Sequence, residues 1–150
     1  MTTAALRALA GGAAGALVLT ALNEGARQRV PHAPRMDVIG MRALSAVLRG
    51  LGLRPLRGRA LYRGTLAGDL VSNSLYYALV GAGSPRTRLR RGILLGAAAG
   101  LGAAVVPPLI GLGHQPGERR PDTPLMTVAW YTAGGVAAAL AGGLLDPRDE

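Results

Sequence analysis

Two stretches of the chain, Gly92 to Gly113 and Thr123 to Leu145, carry no charged side chain. Each is long enough to cross a hydrocarbon core of roughly 30 Å as a helix. A third window, Ala8 to Asn23, is bounded by Arg7 and Glu24, and a fourth, Gly64 to Ala82, is interrupted only by Asp69. A surface helix of a soluble bundle should show a polar face recurring every three or four residues, and the charge-free windows show none. The pattern predicts an all-α, polytopic membrane helical bundle of four transmembrane helices, at about 4–23, 62–83, 92–113 and 123–145, in a single integral membrane domain. Arg7 and the apolar run after it also fit a signal peptide, but Asn23, Glu24 and Arg27 crowd the cleavage position and favour an uncleaved first span.

Punctuation at the span ends follows helix-terminus chemistry. Thr123 before Pro124 reads as an N-cap with proline at the first helical position, and Asp146-Pro147 as the stop of the same helix. Gly83-Ser84-Pro85 closes the second span. Pro107-Pro108 falls inside the third window and predicts a kink or break about two thirds of the way along it.

The connector from Glu24 to Arg63 is long for a structureless loop. Within it Val38, Met41, Leu44, Val47, Leu48 and Leu51 recur at helical spacing, with Arg42 and Arg49 on one side of the wheel. We read 37–52 as an amphipathic interfacial helix, N-capped by Asp37, whose Arg42 and Arg49 contact lipid headgroups. A fifth crossing would place both arginines in the bilayer at roughly 2.5–3.5 kcal/mol each, which favours the interfacial placement.

Composition narrows the chemistry. Hydrophobic residues make up 49% of the 150 residues, charged residues 17% and aromatic residues 3%, with no Phe and no Cys. Disulfides, thiolate metal sites and thiol nucleophiles are thereby excluded. The formal net charge is +9, and all seventeen basic residues are Arg. They lie in the connectors, without an aromatic platform or recognition motif, so the expected partner is a bilayer with anionic headgroups and no nucleic acid. Both connectors flanking the second span are strongly basic, so the positive-inside rule leaves the orientation of the N-terminus open. Abundant Arg, Ala and Gly without Lys suggest a GC-rich bacterial genome, and with it a multi-pass protein of the bacterial inner, or plasma, membrane.

Small residues recur four apart. Ala8, Gly12 and Ala16 do so on the first span, Gly92, Gly96 and Gly100 on the third, and Gly134, Ala138 and Gly142 beside Gly135, Ala139 and Gly143 on the fourth. Such glycine zippers let helix backbones approach closely where apolar burial gains little. The same spacing suits a homo-oligomer or docking on a larger membrane complex, but packing within the chain is the simpler use.

The second span differs from the others. Tyr62, Thr65, Asp69, Ser72, Asn73 and Tyr76 form a polar stripe at intervals of three or four. Asp69 lies roughly 7–8 Å inside the charge-free boundary. At the end of the first span Thr20, Asn23, Glu24 and Arg27 form a second stripe, so Arg27 is a candidate partner for Glu24 or for Asp69, with Arg63 as another for Asp69. Trp130, Tyr131 and Thr132 are candidates for a pocket wall. Taken as structure, the stripes are interhelical hydrogen bonds that fix register. Taken as function, they form a polar site or pathway for a small polar molecule, an ion or a proton, with Asp69 bearing the charge.

Catalysis has little support. His32 and His114 sit in loops beside prolines, read as solvated and without an acidic neighbour at ligand spacing, so no metal site and no cofactor are expected. The nucleophile-elbow and phosphate-loop patterns are missing, and Ser72 and Ser74 have no base near them in sequence. The expected role is non-enzymatic: a small transport or binding unit, or an accessory scaffold held by its small-residue ridges.

Overall fold

The computed structural model describes residues 3–145, and the described residues are helical without a strand. Helix α1 covers Thr3–Arg29, an Ala/Leu/Gly-rich run that ends two residues before Pro31, with Arg27 and Arg29 facing the negative end of its dipole. Helix α2 covers Met36–Gly50. It ends where Gly52 takes a left-handed backbone (φ 72°), which lets the Leu53 amide reach back to the Leu48 carbonyl at 2.8 Å. Helix α3 covers Gly58–Ala78 and runs into a 3-10 turn at Leu79–Gly81. A second 3-10 turn at Pro85–Thr87 leads into α4, Arg88–Leu109, and α5 covers Asp122–Leu144.

The four long helices alternate in direction. The start of α1 lies beside Gly81, Arg88 and Gly142, and its end lies beside Tyr62 at the start of α3. Across the bundle the order is α3, α1, α5, α4, with α2 laid against the first half of α3. The core joins Ala16 and Leu19 of α1, Tyr77 of α3, Val80 and Ala138 and Ala139 of α5. Tyr77 is fully buried, and its hydroxyl donates to the Tyr131 carbonyl at 2.7 Å, tying α3 to α5.

Missing side chains set the helix separations. A Cβ at Gly96 would lie 2.6 Å from the Thr132 Cα and the Tyr131 carbonyl oxygen, and one at Gly100 would lie 2.6 Å from the Val128 Cα. Gly92 meets the Gly135 carbonyl in the same way, so α4 approaches α5 by its backbone. Gly15 of α1 sits against Gly134 and Ala138, and Gly12 against Ser74 and Ala78, which places α1 between α5 and α3. Dispersion between closely set backbones is the main attraction available where the surroundings are as apolar as the side chains.

Three helices, α1, α4 with its preceding turn, and α5, are long and apolar enough to cross a membrane. Large apolar side chains cover the outside of the bundle, among them Leu17, Leu94, Leu101, Val105, Leu140 and Leu144. A water-soluble monomer rarely exposes so continuous an apolar surface. Helix α3 is not among the three, because Arg63, Asp69 and Asn73 lower its hydropathy.

Several local expectations are corrected. Asp37 is not the N-cap of α2: the helix begins one residue earlier, Arg35 holds the cap position without a side-chain bond, and the Asp37 carboxylate is taken by the Arg35 guanidinium. Thr123 does not cap α5, which starts at Asp122. Its hydroxyl donates instead to the His32 carbonyl at 2.8 Å, tying the start of α5 to the loop after α1. Of the kink or break expected at Pro107-Pro108 the structure shows the break: the two prolines occupy the last turn of α4, which ends at Leu109 and not at Gly113. Two successive residues without an N–H remove two helical hydrogen bonds, and termination is the cheapest response. The stop expected at Asp146-Pro147 lies outside the described residues.

Candidate functional site

The C-terminal third of α1 faces the N-terminal half of α3, which brings the two polar stripes together. Tyr62 donates to Glu24 Oε2 at 2.6 Å, and Arg27 Nη2 donates both to Glu24 and, at 3.2 Å, to the Tyr62 hydroxyl. The Arg27 guanidinium also lies 5.5 Å from the centre of the Tyr62 ring, within cation–π range. Helix α2 closes the assembly from the side. It crosses α3 at Gly40, where a Cβ would meet the Thr65 methyl and would lie 3.2 Å from Asp69 Oδ2.

This crossing delivers Asp37, a site residue that the sequence reading had placed at a helix cap. Arg35 donates to both of its carboxylate oxygens at 2.9 Å, and Arg27 Nη1 lies 3.6 Å from Oδ2. Burial pushes the Asp37 carboxyl up, but the Arg35 hydrogen bonds and the Arg35 and Arg27 charges outweigh it and hold the group below its ordinary value. A signal for this placement exists in the sequence: Asp37, Gly40 and Leu44 follow helical spacing, and Leu44 also touches α3, at Gly64.

Arg27 therefore pairs with Glu24 and Asp37 and not with Asp69, and Arg63 does not reach Asp69 either. Among the described residues the Asp69 carboxylate has no ion pair and no hydrogen bond. It faces a small cavity between α1, α2, α3 and α5, shared with Asn23, Glu24, Asp37, Thr65 and Asn73, and closed by Tyr131. The cavity has room of about 40 Å³, enough for one or a few waters or a small ion and too little for an organic solute of any size. Two oxygens in its wall, Thr65 Oγ1 and Asn23 Oδ1, are buried without a hydrogen-bond partner.

Not every expected residue joins this site. Ser72 is exposed and bonds the Asp69 backbone carbonyl of its own helix, and Tyr76 donates to the Leu95 carbonyl of α4 at 3.0 Å. Of the candidate wall residues on α5, Tyr131 lines the cavity; Thr132 bonds the Val128 carbonyl within α5, and Trp130 packs against the core with its indole N–H unpaired. Arg42 Nη1 donates to the Leu112 and His114 carbonyls at 3.0 and 2.9 Å, bracing α2 against the end of α4, and Arg49 is exposed. His114 does have an acidic neighbour, since its Nδ1 lies 3.0 Å from Glu118 Oε1, whereas His32 lies in the loop beneath Thr123. Among the described residues no three His, Asp or Glu side chains form a metal-holding group.

The chain matches no family model, no curated protein and no solved structure. The functional reading therefore rests on the geometry alone.

Proposed function

We propose that this chain is a multi-pass protein of the bacterial cell membrane, in which α1, α3, α4 and α5 cross the bilayer and α2 lies in the headgroup region. We propose further that the Asp69 cavity binds or conducts a small polar solute, an ion or a proton. The outward side of α3 supports its placement as a fourth span: Val71, Leu75 and Leu79 are exposed, while Thr65, Asp69 and Asn73 turn inward to the cavity. An apolar back and a polar front suit a helix with lipid on one side and a polar site on the other. At the end of α2, exposed Val47 and Leu51 accompany exposed Arg49, the composition of a helix lying among anionic headgroups, while the Arg42 guanidinium is held by the Leu112 and His114 carbonyls.

One observation carries the functional reading. A carboxylate without a counter-charge faces a cavity between helices, where leaving a charge unpaired is costly unless something visits it. The alternative role, an accessory protein held to itself or to a larger complex through Gly/Ala ridges, draws less support. Gly12, Gly15, Gly92, Gly96, Gly100, Gly134 and Gly135 are already occupied by contacts within the chain.

Purified protein in proteoliposomes tests the reading through ion and proton flux under an imposed gradient. Asp69→Asn should be recovered in near-normal amount and lose at least tenfold of the protein-dependent flux. Flux equal to that of empty liposomes would remove conduction and leave binding alone to carry the reading, and a fully active Asp69→Asn would refute it.

A further inference from the structure

We infer that the cavity beside Asp69 is a binding site for one dehydrated monovalent alkali cation. This deepens the proposal above, since it rests on the cavity being a working polar site and names what occupies it.

The charge count points to a single positive charge. Glu24, Asp37 and Asp69 bring three carboxylates to the cavity wall. Arg27 sits against Glu24 and Asp37, and Arg35 against Asp37, so two guanidinium groups answer the first two carboxylates. One negative charge is left, on Asp69. A divalent ion would over-compensate it and would prefer several free carboxylates in its shell, whereas Glu24 and Asp37 are already held by arginines.

The unpaired oxygens then add two neutral ligands to that carboxylate. Thr65 is only 5% exposed, yet its hydroxyl has no partner, and the Asn23 carbonyl oxygen is likewise buried and unmatched. Both residues line the cavity that Asp69 faces. A proton on Asp69 supplies one donor and satisfies one acceptor at most. A hard cation accepts lone pairs from several oxygens together, and the neutral oxygens of Thr65 and Asn23 beside one carboxylate are a donor set of that kind. A cavity of about 40 Å³ admits such an ion only after most of its water is shed.

The test is thermal unfolding of the full-length protein in detergent at fixed pH and ionic strength, with choline chloride replaced stepwise by lithium, sodium or potassium chloride. Choline is too large for the cavity and serves as the blank. At least one alkali cation should raise Tm saturably, by about 3 °C or more at saturation. Asp69→Asn and Thr65→Val should each lose most of that rise. Identical Tm in all four salts overturns the inference, as does a rise that persists undiminished in Asp69→Asn. A pH-dependent difference between wild type and Asp69→Asn with no preference for alkali cations over choline overturns the cation assignment and leaves a proton site standing. If both variants misfold, the salt series on the wild-type protein decides alone. Cation binding without flux in proteoliposomes would sustain the site while removing conduction.

Discussion

Asp37 shows how a single side chain can organise a junction. Its carboxylate is only 8% exposed and is held by arginines from the preceding loop and from α1, so Asp37→Asn removes one of the two oxygens that accept from Arg35 and the charge that faces Arg27. We expect a loss of about 1–3 kcal/mol, read from thermal unfolding in detergent. The pH dependence has a definite sign. The folded-state pKa of Asp37 lies below its unfolded value, so the wild-type advantage over Asp37→Asn is complete above about pH 4 and vanishes as pH falls through the lowered value. A difference between the two proteins that stays constant down to strong acid would refute this account. The residue was visible in the sequence, but its role was not, because an Asp near the start of a helix is ordinarily a cap and only the α2–α3 crossing turns it toward Arg27.

At the scale of elements, close approach is decided by where a Cβ is absent. Gly96 and Gly102 belong to the same helix and differ in what faces them: backbone atoms of α5 at 2.6 Å for Gly96, and nothing within 4 Å for Gly102. Gly96→Ala should therefore force α4 away from α5 and cost about 1–3 kcal/mol. Gly102→Ala should be neutral or stabilise by roughly 0.5–1 kcal/mol through helix propensity. Unfolding midpoints of the two variants check the contrast, and equal effects would show that α4 and α5 are not in backbone contact. The four-residue spacing of small side chains was legible beforehand, although their partners were not. Spacing alone does not say that Gly12 turns to α3 while Gly15 turns to Gly134 of α5.

For the whole molecule, the decisive matter is its solvent. The outer surface is apolar along α1, α4 and α5, and the α3 side continues it through Val71, Leu75 and Leu79. If α3 crosses the bilayer, then α2 and the α3–α4 turn lie on opposite faces. The chain has no Cys, so single substitutions Ala46→Cys and Ser84→Cys can be labelled with a membrane-impermeant maleimide in sealed vesicles of one orientation. One should react before lysis and the other only after it. Labelling of both from the same face would remove α3 from the spanning set. Long helical segments could be located along the chain because extended apolar runs leave few other solutions. The polar stripe of α3 was equally plain in its periodicity, whereas the division of that stripe between cavity, solvent and α4 was not.

The sequence by itself determined that the chain is helical, where its long apolar segments lie, and that polar stripes occupy the end of the first and the length of the second. These follow from local periodicity and from the cost of exposing apolar surface or burying backbone polar groups, which depend on neighbours along the chain. Only the tertiary structure decided which charge pairs with which. Arg27 had Glu24 three residues away and Asp69 across a helix interface, and the arrival of α2 with Asp37 gave it a second carboxylate nearer than Asp69. Electrostatic partners are chosen by distance in space, and that distance is set by helix crossings at Gly12, Gly15 and Gly40, where the close contact is made by residues with no side chain to advertise it.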